Sequence, residues 1–228
     1  MASALIILAE SYGPSLAAFA LFALLHSLGA REPCKRVLAR VFSPFFVDHF
    51  WRLVYCGLSF AALYGAVTML HWARNPEFDV WLARYPPWLW AIVTALHLFS
   101  VAVVYVAFLQ SDYLEFLGLT QAWRGLAALA GRPAPPQPLF GSQRLVTSGI
   151  YAWLRHPMLA GGLWFLLTSG PSLNNIVYTL MYTVYMLIGG HYEERRLIRV
   201  FGDDYLRYRA RVGGYFPRWR RPARQPTA

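Results

Sequence analysis

The sequence predicts an all-α, polytopic membrane protein with about five transmembrane helices, a C-terminal helical hairpin and cytoplasmic C-terminal helices. Three observations predict it. Of 228 residues, 57% are hydrophobic and only 14% are charged, where a soluble domain carries about 25% charged residues. Apolar runs approaching the ~20 residues that span a bilayer recur along the chain. The Lys and Arg residues gather in alternate connections, the pattern of the positive-inside rule.

Taken in order, the first apolar run covers about Ala4 to Leu28, interrupted by Glu10 and by Gly13-Pro14. It lacks a charged start and a small-residue cleavage site, and reads as a retained transmembrane helix. A polar connection with Arg31, Lys35, Arg36, Arg40 and Arg52 precedes a second span, about Leu53 to Trp72. A loop at 73–87 closes on Pro86-Pro87, and the third span runs from about Trp88 to Leu109. Residues 112–130 mix Asp112, Glu115, Gln121 and Arg124 with Leu, Phe and Trp, as a helix on the membrane surface does. Gly131 to Pro138 is too rich in Pro for regular structure and is read as a linker. Two apolar stretches follow, about 158–169 and 173–190, separated by Ser169-Gly170-Pro171-Ser172. The first is short for an upright span, so a tilted helical hairpin is expected. From His191 a polar helix with Glu and Arg at i,i+3 and i,i+4 runs to Phe201-Gly202. A second short helix covers Asp204 to Arg211.

The basic residues number five in 31–52, two in 73–87, four in 110–157 and ten after 190, with none in the hairpin turn. Alternation then puts the N-terminus outside, and both flanks of the hairpin on the cytoplasmic face, in a bacterial inner membrane. A membrane surface also accounts for the net charge of +10, and no nucleic-acid partner is expected. The division expected is residues 1–138 as spans, surface segment and linker, 139–217 as a functional core, and 218–228 as a disordered basic tail. Cys34 and Cys56 match no metal spacing.

The chemistry concentrates at Gly149 to Gly162, G-I-Y-A-W-L-R-H-P-M-L-A-G-G. Pro157 suits a helix start, since its φ is fixed and the first turn needs no N–H partner. Arg155 and His156 then sit at a helix N-terminus, where free N–H groups favour an anion. Gln143, Arg144, Tyr151, Arg155 and His156 on one flank of the hairpin should face His191, Glu193 and Glu194 on the other. Cations, carboxylates and aromatic rings together suit a zwitterionic, adenine-bearing sulfonium. A plainer reading stays open, in which Arg155 snorkels and these charges simply pair the two segments. No HxxH or HExxH spacing, phosphate-binding Gly-rich loop or GxSxG occurs, so no metal is expected. His26, His71 and His97 read as packing residues.

The run Leu145-Val-Thr-Ser-Gly-Ile-Tyr-Ala-Trp-Leu-Arg-His-Pro-Met-Leu-Ala-Gly161 is followed by Glu193-Glu-Arg-Arg-Leu-Ile-Arg-Val-Phe-Gly-Asp-Asp-Tyr-Leu-Arg-Tyr-Arg-Ala-Arg-Val and Tyr215-Phe-Pro217. Together they resemble the isoprenylcysteine carboxyl methyltransferase family, which also includes phospholipid methyltransferases. The stretch Asp112-Tyr-Leu-Glu-Phe-Leu-Gly-Leu-Thr-Gln-Ala-Trp resembles the related methanethiol S-methyltransferases and their nitric-oxide-reduction-associated relatives. The resemblance implies S-adenosylmethionine as methyl donor. By motif match its contacts fall on Gln143, Arg144, Leu145, Val146, Tyr151, His156, Pro157, Met158, Leu159 and Glu193. It departs from the family at Gly189, where prenylcysteine enzymes carry an Arg for a carboxylate substrate, and at Leu159, commonly a Tyr.

The departure at Gly189 turns the expectation toward a small lipophilic thiol, methanethiol giving dimethyl sulfide, reached through membrane lipid. His156 and His191 are then the candidates to take the thiol proton, and Arg155 and Glu194 to shape the pocket and balance its charge. Three alternatives remain open at this point: a lipid or prenylcysteine acceptor, a sterol-reductase-like oxidoreductase, and a non-catalytic accessory protein of the same fold.

Overall fold

The computed structural model describes residues 2–72, 85–132 and 145–218. They form ten α-helices, with no strand among the described residues beyond an isolated bridge between Leu154 and Gly213. The helices fall into two compact units.

The first unit holds α1 (Ala2–Gly29), α2 (Glu32–Val41), α3 (Pro44–His49), α4 (Trp51–Trp72), α6 (Tyr113–Leu117) and α7 (Leu119–Leu129). α1 runs unbroken through Pro14, where the sequence suggested an interruption. α1 packs on α4. The Trp51 indole donates to the Gly29 carbonyl at 2.9 Å, and the Tyr55 hydroxyl to the His26 carbonyl at 2.9 Å. The connection read only as polar contains α2 and α3, each with a proline in its first turn. Ser43 caps α3 by accepting from the Phe46 N–H. The expected single surface helix over 112–130 is two helices. Gly118 divides them at φ +83°, and a side chain there would collide with the backbone of Arg52 and Leu53. The linker proline segment 133–138 lies outside the described residues.

The second unit holds α5 (Pro87–Gln110), a 3-10 turn over Gly149–Ala152, α8 (Pro157–Thr168), α9 (Leu173–Phe201) and α10 (Asp203–Arg211). α5 therefore packs with the C-terminal helices, chiefly with α8. Gly161 makes this approach close: an added Cβ would lie 2.6 Å from Val104 Cγ2 and 3.0 Å from the Ser100 carbonyl. α8 and α9 form the expected hairpin. Ser172 caps α9 by accepting from the Asn175 N–H, and the Asn175 amide donates to the carbonyls of Leu166 and Gly170, closing the turn. α9 continues without a break from its apolar half into the polar segment and stops at Gly202.

Among the described residues, two helices, Glu10–Gly29 within α1 and Pro87–Gln110, are long and apolar enough to cross a membrane. α5 buries only Ser100, Val103 and Ala107, while Trp88, Trp90, Ile92, Leu96, Leu98, Phe99 and Tyr105 face outward. A helix apolar on all sides with large outward side chains is compatible with a lipid surround.

Candidate functional site

Pro157 begins α8 and leaves His156 as its N-cap, so the ring of His156 stands at the helix start. α9 brings Glu193 and Glu194 to that point. His156 Nδ1 lies 3.2 Å from Glu193 Oε2, and Nε2 lies 3.2 Å from Glu194 Oε1. A neutral imidazole would present a lone pair to one of these carboxylates. Only the doubly protonated ring donates to both. Burial opposes that charge, but the hydrogen bonds and charges of Glu193 and Glu194 outweigh it and raise the His156 pKa above its usual value.

Glu194 is shared. Its Oε1 also accepts from Arg155 Nε at 2.9 Å and Nη2 at 2.5 Å, and its Oε2 lies 3.3 Å from Arg209 Nε. Burial raises its pKa, yet Arg155, His156 and Arg209 together hold it below the ordinary carboxylate value. The side chains of Arg155 and Glu194 are only 11% and 15% exposed, whereas that of Glu193 is 52% exposed. The two adjacent carboxylates therefore differ in kind. Glu194 is locked into a largely enclosed ion-pair group, and the Glu193 side chain stays half-exposed.

A strap from the end of α10 completes the group. The Arg155 N–H donates to the Gly213 carbonyl at 2.8 Å and the His156 N–H to the Gly214 carbonyl at 3.2 Å. The Arg155 guanidinium also donates to the carbonyls of Arg209 and Val212. The Tyr215 ring stacks on the His156 ring with centroids 5.2 Å apart, and its hydroxyl donates to the Met186 carbonyl. Gly190 leaves room for that hydroxyl, which would meet a Cβ there at 1.9 Å. Beneath the strap, Tyr205, Tyr208 and Val212 form a buried cluster against which Leu145 packs. The Tyr208 hydroxyl donates to the Tyr151 carbonyl at 2.6 Å. Burial, with Glu194 adding to it, pushes the Tyr205 hydroxyl up to about 12.

Tyr151 lies in the 3-10 turn, its hydroxyl donating to the Ala107 carbonyl at 3.3 Å. Burial, then the Glu193 charge, pushes its pKa up to about 12. Gln110 Oε1 accepts from the Ile150 N–H at 2.9 Å and occupies the space that a side chain at Gly149, φ +60°, would fill.

Tyr151, Arg155, His156, Glu193 and Glu194 thus come together, and Met158 and Leu159 form the first turn of α8 with Pro157 buried beneath them. Val146 is half-buried in the stretch leading to the 3-10 turn. His191 does not join the group. It is exposed on α9, and its ring packs edge-on against Tyr192. Gln143 and Arg144 lie outside the described residues. No group of three or more His, Cys, Asp or Glu able to hold a metal occurs among the described residues. On the flanks of α5 and α8, Val101, Val104, Tyr105, Phe108, Gly162 and Phe165 line an open apolar groove of about 430 Å³.

Sequence reasoning missed Tyr208, Arg209, Tyr215 and Gln110 as site residues. A signal was present for Tyr215, since Gly190 leaves space for its hydroxyl.

The family described as NnrU protein matches residues 15–214. The methanethiol S-methyltransferase of Pseudomonas deceptionensis is 35% identical over 132 residues, 58% of this chain and 47% of that protein. The chain thus aligns with about half the length of that relative. Methanethiol S-methyltransferase 1 of Bradyrhizobium diazoefficiens is 30% identical over 219 residues, 93% of this chain and 69% of that protein. The human protein-S-isoprenylcysteine O-methyltransferase is 39% identical over 72 residues, 30% of this chain and 25% of that protein. No solved structure matches the chain.

Proposed function

This chain belongs to the NnrU protein family, and we propose that it is an integral membrane methyltransferase using S-adenosylmethionine to methylate a small lipophilic thiol, methanethiol to dimethyl sulfide. One observation carries the reading: a half-exposed carboxylate, Glu193, stands beside the start of α8, where the Tyr215 ring stacks on His156. Relatives named methanethiol S-methyltransferase support the acceptor.

The residues fit the donor. Glu193 suits its ammonium, and the N–H groups of Met158 and Leu159 in the first turn of α8 suit its carboxylate. Tyr151 and Tyr215 offer ring faces to a sulfonium. Bound S-adenosylmethionine would supply an electrophilic methyl group. The protein's part is to align the acceptor sulfur, exclude water and take a proton, since the thiolate is the nucleophile.

With both carboxylates facing it, His156 is held toward its charged form, which cannot accept a proton. When Glu193 turns to the ligand ammonium, one of the charges that raises the His156 pKa is withdrawn, the ring releases its Nδ1 proton to solvent, and the neutral Nδ1 then takes the proton from the thiol. We assign the proton to His156 rather than to the exposed His191. Arg155 and Glu194 hold the strap over the site and keep it shaped. The apolar groove on α5 and α8 suits the approach of an uncharged acceptor from lipid. In this reading five segments enter the membrane, with the site on the cytoplasmic side of a bacterial inner membrane.

The test is calorimetric titration of the detergent-purified protein with S-adenosylmethionine, followed by headspace assay for dimethyl sulfide on addition of methanethiol. Glu193→Gln should weaken binding by roughly 10- to 100-fold, the worth of a hydrogen bond to a charged group, with little change in thermal midpoint. Wild-type affinity in that variant would sink the donor site. Donor binding without dimethyl sulfide would sink the acceptor.

A further inference from the structure

Within the first unit, α2 presents a face that its neighbours leave open. None of its ten residues is buried. Pro33, Arg36, Val37, Arg40 and Val41 are all exposed. At ~100° per residue these five fall within an arc of roughly 140°. The two arginines occupy one flank of that arc and Pro33, Val37 and Val41 the other, with the exposed ring of Phe42 at the helix end. Lys35 is paired with Glu32 at 3.2 Å, but among the described residues no carboxylate pairs with Arg36 or Arg40.

The position of α2 in the chain fixes what it meets. It follows the apolar α1 after a turn of two residues. At that turn the Trp51 indole bonds to the Gly29 carbonyl, and Tyr55 bonds to His26. Trp and Tyr collect at headgroup depth, where one side is apolar and the other wet. A helix there with apolar and basic flanks matches a layer of acyl chains below and phosphates above.

We propose that α2 lies in the plane of the headgroup layer and that Arg36 and Arg40 bind the phosphate of an anionic phospholipid, with Val37, Val41 and Phe42 set among its acyl chains. This rests on the reading of the chain as a membrane protein and is independent of the methyl-transfer site. The charges complement each other, and two arginines one turn apart can grip one phosphate from two sides.

Native mass spectrometry of the full chain with phosphatidylglycerol or phosphatidylcholine tests it. The wild type should retain phosphatidylglycerol in preference. R36Q/R40Q should weaken that retention about 25-fold, a factor of about five for each arginine. R195Q/R196Q removes the same charge from α9 and should leave retention unchanged. V37S/V41S keeps the charge and should weaken retention of both lipids. Equal losses in both arginine pairs would show diffuse attraction and overturn the site, as would wild-type retention in V37S/V41S. A protein dimer that R36Q/R40Q dissociates without regard to lipid would instead make the face a contact between copies.

Discussion

His156 faces a carboxylate at each ring nitrogen, 3.2 Å away on either side, and a pH dependence follows from that. Its pKa is raised from an ordinary 6.5, so its contribution to stability is complete below 6.5 and is lost as pH rises through the raised value. Glu194 is depressed from an ordinary 4.5. Its contribution is complete above 4.5 and is lost as pH falls through the depressed value. The two together favour the interval between. The thermal midpoint, followed by tryptophan fluorescence from about pH 3 to about pH 9, should fall on both the acid and the alkaline side of that interval in the wild type. His156→Gln should flatten that limb and leave the acid limb in place. A wild-type midpoint unchanged across the alkaline range would remove the imidazolium from the site. The charges at Arg155, His156, Glu193 and Glu194 were legible in the sequence, because the two motifs flank one hairpin. Which carboxylate is locked and which is available was not legible. That depends on Arg209 and the strap carbonyls, whose positions are set by tertiary packing.

At the scale of elements, close approach between helices rests on small residues. Gly161 lets α5 and α8 meet, and a side chain there would strike Val104 and the Ser100 carbonyl. Gly161→Val should destabilise the detergent-solubilised protein by about 1–3 kcal/mol through overpacking. Gly57→Ala, in open space within α4, should be neutral or slightly stabilising, since alanine is the better helix former. Chemical denaturation with a far-ultraviolet probe separates the two, and equal effects would remove the packing role of Gly161. The long apolar helices and the hairpin were readable from length and from the Ser-Gly-Pro-Ser break. The short helices α2 and α3 were not, because a basic connection of this composition reads the same whether coiled or helical. The break at Gly118 needed the backbone of Arg52 and Leu53 beside it, which no local pattern announces.

At the scale of the molecule, the helices carry many large outward apolar side chains, from Leu21 and Leu24 on α1 to Phe99 and Tyr105 on α5. The protein should therefore stay in the membrane fraction through an alkaline carbonate wash and aggregate when detergent is withdrawn. Release into the soluble fraction as a monomer would remove the membrane reading. Composition made the membrane class legible. It did not show that α5, early in the chain, packs with helices from its far end.

The stretch beyond α10 has a consequence for turnover in the cell. Val212 to Tyr215 roofs the His156 group, while Phe216, Pro217 and Arg218 just after it are exposed. A protease that trimmed back through this stretch would leave every apolar helix seated and the hairpin intact, yet strip the ring from above His156. Abundance in the bilayer and competence would then be separate quantities, and a blot against an N-terminal tag would count silenced copies as live ones.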